Sequence, residues 1–274
     1  MMKILVTGSS SGIGRSLTES LLRRGDLVWG IARSEQSTLE KLYPSQFKSS
    51  VCDVSKWDKI SETSRVISNE WLSIDALITC AGVQGEIGRA VTADPLNWQK
   101  TINANLSGTY FSIRAFHRLI SLSPNRGKVI CFSGGGATKA RLNFSAYGSA
   151  KTAIVRLVET IAEEEKINNL DINCIAPGSI NTRLTDEVLS LGPSVAGIEE
   201  YASALKQKNE GGQSLDKAIR LIEWLLSSHS NGITGKLLSA QWDPWDNVPF
   251  DAAKLTQSDV YTLRRILPED RKNV

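Results

Sequence analysis

Residues 3–14 read Lys-Ile-Leu-Val-Thr-Gly-Ser-Ser-Ser-Gly-Ile-Gly, and this stretch decides the fold. The apolar run 4–6 predicts a short buried strand, the glycines predict a tight turn, and Leu17, Leu21 and Leu22 open an amphipathic helix. A strand, a glycine-rich turn and a helix in this order form the context in which the phosphates of a dinucleotide bind. The stretch therefore predicts the first βα unit of a nucleotide-binding α/β sheet, with a βα turn that binds nothing as the alternative.

Three glycines of this turn have different physical tasks. Gly8 permits the tight turn, Gly12 lets the backbone approach phosphates, and Gly14 lets the helix and the strand pack closely. The N-terminus of the following helix carries partial positive charge and free N–H groups. We therefore expect a pyrophosphate to lie at this turn.

A cation stands at the end of the second predicted strand, where a carboxylate would favour NAD. Residues 27–31 predict this strand, and Ala32 and Arg33 follow it. An acid at this place would hydrogen-bond the ribose hydroxyls of NAD. Arg33, together with Arg15 just after the glycine turn, instead suits a ribose 2′-phosphate. NADP(H) is therefore the expected cofactor in preference to NAD(H), and two solvated surface arginines are the alternative.

Strands and helices alternate along the chain with no linker rich in Pro, Gly or Ser between them. Strands are predicted at 3–6, 27–31, 47–52, 76–79, 128–132, 170–175 and 236–239, and helices include 61–72, 94–122 and 215–226. This order predicts an α/β fold with a single doubly wound (Rossmann) parallel sheet of about seven strands and helices on both faces. We expect the domain to span residues 1–245, and residues 246–274 to form a tail packed on the domain or on a neighbouring subunit. Leu263, Ile266 and Leu267 predict a helix in that tail.

The candidate ligand contacts converge on one edge of this sheet. Ligands of doubly wound sheets bind at the carboxyl ends of the strands. Residues just past predicted strand ends are Gly8, Arg33, Asp53, Ala81, Ser133 and Pro177.

Tyr147 and Lys151 open the helix that follows the fifth strand, four residues apart. That spacing places both side chains on one helix face, one turn apart. A phenol with a pKa of about 10 is a poor proton donor or base at neutral pH, and an ammonium within about 4–6 Å lowers that pKa. The pair therefore predicts Tyr147 as a general acid/base for a hydroxyl or carbonyl. A chance pair of a core-edge tyrosine and a solvated lysine is the alternative.

The composition argues against several classes of function. The 274 residues are 41 % hydrophobic and 22 % charged, and the net charge of +3 is too small to argue for a nucleic acid or an anionic membrane as partner. The sequence contains no apolar run of 18 residues and no signal-peptide pattern, so we expect a cytoplasmic protein. The four cysteines lie in apolar runs without a Cys-x-x-Cys pair, and the two histidines lie far from them, so no metal site is expected.

Taken together and in order, these motifs resemble the classical short-chain dehydrogenase/reductase family. The resemblance covers about residues 3–240 and rests on the following segments: Thr-Gly-x-x-x-Gly-Ile-Gly at 7–14, Asp53-Val54, Ala81-Gly82, Asn105, Tyr-x-x-x-Lys at 147–151, and Pro177-Gly178 with Thr182. The resemblance implies an oxidoreductase that transfers a hydride between nicotinamide C4 and a carbonyl or secondary alcohol.

The resemblance also implies residue roles. Tyr147 would be the acid/base, Lys151 would bind the nicotinamide ribose and lower the pKa of Tyr147, and Asn105 would hold a water that relays protons to Lys151. The nucleotide would contact Gly8, Ser10, Ser11, Gly12, Ile13, Gly14, Arg15, Arg33, Asp53, Val54, Ala81, Gly82, Tyr147, Lys151, Pro177, Gly178, Ile180 and Thr182. Among these residues, Asp53 and Val54 would flank the adenine, and Ile180 and Thr182 would hold the carboxamide.

Two positions depart from the family pattern. Cys80 replaces the usual Asn after the fourth strand, which leaves a backbone role intact but removes a side-chain hydrogen bond. The substrate-orienting Ser usually lies thirteen residues before the Tyr, and that position is Gly134. Ser133 would serve as the catalytic hydrogen-bond donor if the glycines at 134–136 let the loop slide. An ordinary strand-end serine is the alternative.

The resemblance further implies a substrate lid at about 183–214, whose apolar residues would otherwise belong to the core. It also implies a homodimer or homotetramer, in which the helices of Asn105 and Tyr147 pair across a two-fold axis. The apolar contact would come from Phe111, Phe116, Val155 and Ile161, with the monomer core as the alternative place for these side chains. Two other functions remain open. One is a regulator or scaffold that binds NADP with weak catalysis, because Gly134 stands at the usual serine position, and the other is a sugar-nucleotide epimerase.

Overall fold

The computed structural model describes residues 1–245 and 252–270. Within them, seven parallel strands form one sheet in the order β3-β2-β1-β4-β5-β6-β7. The strands are β1 (Lys3–Thr7), β2 (Leu27–Ala32), β3 (Phe47–Val51), β4 (Ala76–Thr79), β5 (Gly127–Phe132), β6 (Leu170–Ala176) and β7 (Leu237–Ser239). The sheet reverses its winding between β1 and β4, which places a ligand crevice at their carboxyl ends. The predicted α/β class and the doubly wound parallel sheet are confirmed.

Helices cover both faces of the sheet, as the alternating pattern predicted. They are α1 (Gly12–Arg23), α2 (Ser37–Leu42), α3 (Trp57–Glu70), α4 (Pro95–Ile102), α5 (Gly108–Ser121), α6 (Ser145–Glu164), α7 (Arg183–Leu191), α8 (Pro193–Ala196), α9 (Ile198–Glu210), α10 (Leu215–Leu226) and α11 (Ala252–Gln257). The six-residue α2 was missed because so short a helix carries little periodicity.

Alternate residues of the strands build two separate cores. On β1, Leu5 joins the core formed with α3, α5 and α6, whereas Ile4 and Val6 join the core formed with α1 and α10. Each of these three side chains is fully buried. Because successive strand side chains point to opposite faces, a continuous apolar run is what a strand covered on both sides requires.

Two helix predictions need correction. The predicted helix 94–122 is α4 and α5 separated by a π-helical turn at Asn103–Ser107. The predicted helix around residues 263–267 is wrong, because these residues are irregular and the helix of the described tail is α11. Residues 246–251 and 271–274 of the predicted tail lie outside the described residues.

The predicted subunit contact also changes. Phe116 and Val155 belong to the monomer core, with exposures of 0 % and 1 %, so they cannot supply an interface. Phe111 and Ile161 are partly buried and pack against that core from outside. No helix of the described residues is long and apolar enough to cross a membrane.

Candidate active site

A cleft of about 1670 Å³ opens at the carboxyl edge of the sheet, where the sequence predicted the ligand. Its lining includes every predicted catalytic and cofactor-binding residue except Arg15. Arg15 lies outside the lining and pairs with Glu19, with 2.6 Å between Nε and Oε1. The convergence follows from topology, because parallel strands end at the same edge.

The glycine turn lets a ligand approach the protein backbone closely. Gly8 has φ +73°, and a Cβ there would lie 2.7 Å from the backbone nitrogen of Ala81. A Cβ on Gly14 would lie 2.3 Å from the carbonyl oxygen of Gly8, so a side chain at either position would displace the backbone. Ser11 precedes α1 and makes no side-chain cap, which leaves the N–H groups of this helix end open to an anion. The turn therefore fits a pyrophosphate.

The rim of the cleft beside β2 and β3 carries Arg33, Asp53 and Val54. Arg33 is exposed and makes no ion pair within the described part of the chain. Ala32 is buried, and its carbonyl accepts a hydrogen bond from the N–H of Cys52 at 2.7 Å. The rim thus carries Ala32 at the position where an NAD-preferring site would carry an acid, followed directly by the cation of Arg33.

Tyr147 and Lys151 lie in the first two turns of α6, and both are buried. The Nζ of Lys151 lies 5.5 Å from the centroid of the Tyr147 ring and donates a hydrogen bond to the carbonyl of Phe132 at 2.9 Å. Burial lowers the pKa of Lys151 to about 8. The predicted pairing on one helix face is therefore present, with the amine also tied to the end of β5.

The pKa of Tyr147 shifts in the direction opposite to the one that the sequence predicted. Burial raises the pKa of Tyr147, and the nearby positive charge of Arg141 opposes that rise. The expectation that Lys151 lowers this pKa is wrong here, because burial disfavours the phenolate and the ammonium of Lys151 is directed to the carbonyl of Phe132. Arg141 had no signal in the sequence, since it lies outside the Tyr-x-x-x-Lys pattern.

Asn105 occupies the π turn and is completely buried. Its Nδ2 donates to the carbonyls of Val83, at 3.0 Å, and Thr101, at 2.9 Å, and its Oδ1 accepts from the N–H of Val83 at 3.3 Å. The side chain therefore braces the segment after β4 against α4. A Cβ on Gly82 would lie 2.7 Å from this Oδ1 and 3.7 Å from the Nζ of Lys151, so Gly82 separates the two groups. The water-relay role of Asn105 stays a prediction.

The loop after β5 keeps Gly134, rather than Ser133, beside the Tyr147 hydroxyl. A Cβ on Gly134 would lie 2.9 Å from that hydroxyl oxygen. Ser133 is buried, and its Oγ donates to the carbonyl of Lys151 at 3.3 Å. The slide that would bring Ser133 into the usual serine position does not occur. The side chain of Ser133 instead ties β5 to α6.

Helices α7, α8 and α9 cover the cleft where the lid was expected. Ile180 and Gly212 form an antiparallel bridge at the base of this segment, and the N–H of Gln213 donates to the carbonyl of Ser179 at 2.9 Å. Val188 is buried in a small apolar cluster that includes Tyr147. This bridge and hydrogen bond therefore hold the base of the lid, and Val188 of the lid shares an apolar cluster with Tyr147.

Trp242 and Trp245, which follow β7, have separate places. Trp245 is buried, lies 6.3 Å from Trp224 between ring centroids, and donates from Nε1 to the carbonyl of Ala240 at 3.2 Å. Trp242 is 79 % exposed and lines the cleft. Trp245 thus anchors the chain after β7, and Trp242 stands at the mouth of the cleft.

Among the described residues, no cluster of His, Cys, Asp and Glu could hold a metal ion. Cys80, which replaces the family's Asn, lines the cleft with a half-buried side chain. The cleft presents the phenol of Tyr147, the amine of Lys151 and backbone groups to a ligand.

Comparison with known proteins agrees with this geometry. The family model for short chain dehydrogenase matches residues 2–190. The 3-oxoacyl-[acyl-carrier-protein] reductase FabG of Vibrio harveyi is 29 % identical over 183 residues, which cover 66 % of this chain and 74 % of the relative.

Two solved structures share the fold. The YIR035C short-chain dehydrogenase/reductase of Saccharomyces cerevisiae superposes with a TM-score of 0.80 at 24 % identity, covering 89 % of this chain and 97 % of the other. A short-chain dehydrogenase of Shigella flexneri complexed with NADP superposes with a TM-score of 0.75 at 24 % identity, covering 88 % and 97 %. With the family match across residues 2–190, the chain belongs to the short-chain dehydrogenase/reductase family and is an oxidoreductase that acts on CH–OH or keto groups with a nicotinamide nucleotide.

Proposed function

We propose that this oxidoreductase uses NADP(H) to interconvert a carbonyl and a secondary alcohol, with Tyr147 as the general acid/base. The observation that carries the proposal is the hydroxyl of Tyr147 in the cleft, beside Gly134, with Lys151 one helical turn further on. When bound, a nicotinamide nucleotide supplies or accepts the hydride.

In the reducing direction, Tyr147 donates its proton to the carbonyl oxygen of the substrate, and in the oxidising direction it takes the proton of the alcohol. Burial suits the first role, because it holds the phenol in the protonated form that can donate. Lys151, with its pKa lowered to about 8, can exchange a proton near neutral pH and is the candidate for resupplying Tyr147. The Gly134 backbone leaves the substrate oxygen room beside the hydroxyl.

The nucleotide would lie along the glycine turn and across the carboxyl ends of the strands. The pyrophosphate side would be held by Gly8, Ser10, Ser11, Gly12, Ile13 and Gly14, the adenine by Asp53 and Val54, and the nicotinamide side by Ala81, Gly82, Pro177, Gly178, Ile180 and Thr182. The exposed Arg33 would contact the 2′-phosphate, and the Shigella flexneri relative is itself a complex with NADP. Arg15 would reach the phosphate only after releasing Glu19.

Two further properties belong to the same proposal. The first property is a cytoplasmic location, because the four cysteines are free, as the reducing cytoplasm keeps thiols. We also infer a homodimer or homotetramer, with Phe111 and Ile161 as the remaining candidates for apolar contact across α5 and α6.

The Tyr147→Phe variant tests the assignment, because it removes only the hydroxyl. With NADPH binding intact, we expect turnover to fall by about 10²–10⁴, the usual effect of losing a general acid/base. The measurement is oxidation of NADPH against a panel of ketones and sugars, and of alcohols with NADP⁺. Unchanged turnover in the variant would exclude the mechanism. Tight NADPH binding by the unmodified chain without oxidation on any compound would instead favour the regulator.

A further inference from the structure

An ion pair crosses the cleft between the loop after β5 and the lid. Arg141 lies in that loop, and Glu200 lies in the first turn of α9. The Nε of Arg141 donates to Oε1 of Glu200 at 3.0 Å, and Nη2 contacts the same oxygen. Both side chains line the cleft and are about a quarter exposed, at 21 % and 29 %. The pair therefore links the lid to the loop that leads into the catalytic helix.

The same guanidinium also faces the aromatic wall of the site. Its Cζ lies 3.8 Å from the ring centroid of Phe144 and 5.9 Å from that of Tyr147. Phe144 is completely buried, which gives the cation a fixed surface to stack on. Arg141 is thus held between an aromatic platform and the carboxylate of Glu200.

Two cationic side chains lie near the ring of Tyr147. Arg141 approaches the ring from the loop, Lys151 approaches it from the same helix, and Glu200 pairs with Arg141. The other side chains of its cluster are apolar, from the segment after β4, the start of α6 and the lid: Ile87, Phe144, Val188, Ala196 and Ala204. A change of charge at Arg141 or Glu200 is therefore expected to act on the phenol of Tyr147.

We propose that Arg141 is a positioning residue for Tyr147, and that Glu200 couples its effect to the lid by neutralising the cation when the lid is closed. The proposal rests on the proposed function, in which Tyr147 is the acid/base. Closure of the lid favours the protonated phenol, the form that donates in carbonyl reduction. Opening the lid separates Glu200 from Arg141, and the uncompensated cation then favours the phenolate.

Two roles of the ion pair make opposite predictions. A pair that acts only as a mechanical latch gives the same result whichever partner is removed, namely a looser lid and a higher KM. A pair that also sets the charge beside Tyr147 gives opposite shifts in the pKa of the phenol. Arg141→Gln removes the cation and moves the midpoint to higher pH, whereas Glu200→Gln exposes the cation and moves it to lower pH.

The test is a titration of Tyr147 in the full chain and in these two variants. Tyrosinate absorbance is recorded against pH for each protein and for the same protein carrying Tyr147→Phe, and the difference isolates Tyr147. The alkaline limb of kcat for carbonyl reduction at saturating NADPH gives a second midpoint, that of the cofactor complex. We expect shifts of about half a pH unit or more, from a charge at roughly 6 Å that solvent partly screens. Arg141→Lys keeps the charge and is expected to restore most of the original midpoint.

Asp186→Asn is the matched control. Asp186 pairs with Lys208 inside the lid, at 2.6 Å between Oδ1 and Nζ, and neither residue lines the cleft. The Asp186→Asn variant removes an ion pair of the lid without changing the charge beside Tyr147, so the titration midpoint of Tyr147 is expected to stay unchanged. Shifts of the same sign for Arg141→Gln and Glu200→Gln, or no shift in either, would overturn the proposal. The absorbance titration does not depend on turnover, so it separates this result from failure of the acid/base assignment.

Discussion

Adding one methyl group at Gly134 is expected to impair turnover by crowding the hydroxyl of Tyr147, the proposed acid/base. The Cβ of an alanine at this position would lie 2.9 Å from the Tyr147 oxygen and 3.7 Å from the ring carbons Cε1 and Cζ. Ordinary contacts between carbon and oxygen begin several tenths of an ångström further out, so either the hydroxyl or the loop must shift. Tyr147 is 8 % exposed and packs against Phe144 and Val188, which limits where the hydroxyl can go.

The size of the expected loss in kcat follows from how strongly proton transfer depends on the position of the donor. A misplacement of about 1 Å can cost roughly 10² in rate, so a shift of about half that size is expected to lower kcat by about 10-fold. The binding of NADPH is expected to change little, because the glycine turn lies elsewhere in the cleft. Turnover and the dissociation constant of NADPH are therefore measured on the same preparation.

Gly135→Ala supplies the matched control for this prediction. A Cβ on Gly135 would have its nearest neighbours at 3.9 Å, on the side chain of Arg141, which is ordinary contact. Neither glycine has a φ in the left-handed region, so both positions accept an alanine without backbone strain. We expect turnover of Gly135→Ala within about twofold of the original chain. Equal turnover in the two alanine variants would refute the crowding argument.

Three further predictions concern the cofactor, the stability and the assembly. NADPH is expected to bind at least about tenfold more tightly than NADH, because Arg33 can make a charge-assisted hydrogen bond to the 2′-phosphate. The double variant Ala32→Asp with Arg33→Ala should reverse this order of affinity. Equal affinities of the original chain for the two nucleotides in a fluorescence titration would contradict the prediction. Asp171→Asn breaks a buried ion pair with Lys128 at 2.8 Å and is expected to lower the free energy of unfolding, measured by urea denaturation, by about 3–5 kcal/mol. The control Asp186→Asn loses only an exposed ion pair and is expected to lower it by under about 1 kcal/mol. Equal losses in the two variants would contradict this reasoning. Light scattering is expected to give at least twice the chain mass of 29.9 kDa, and a value near 29.9 kDa at micromolar concentration would contradict an oligomer.

The sequence predicts the sheet well because each strand carries its own local signal. The apolar run before Thr7 and the glycines after it identify β1 and its turn without reference to the rest of the chain. Parallel order then brings Gly8, Arg33 and Tyr147 to one edge by topology alone. Local patterns joined by a simple winding rule are therefore enough to locate the cleft.

Other features lie beyond such patterns because they depend on distant contacts or small shifts. The π turn at Asn103–Ser107 leaves the apolar spacing of the surrounding helices nearly continuous, so residues 94–122 resemble one helix. The direction of the Lys151 amine depends on the carbonyl of Phe132, 19 residues away, and the Arg141–Glu200 pair spans 59 residues. Spacing identifies Lys151 as a neighbour of Tyr147 but cannot show which group its charge contacts.

Helix α6, which carries Tyr147 and Lys151, is buried more extensively than helix α9 of the lid. Helix α6 has nine buried residues of twenty, whereas α9 of the lid has only Ala204 of thirteen. Further along α6, Glu159 accepts a hydrogen bond from the N–H of Leu263 at 2.7 Å, and Arg156 donates to the carbonyl of the same residue, so the tail also holds this helix. Segments with few buried contacts open at lower free energy than the core elements they cover. In the proposed mechanism, opening of the lid would change the charge and solvent around Tyr147, while the helix would keep the spacing of Tyr147 and Lys151 fixed.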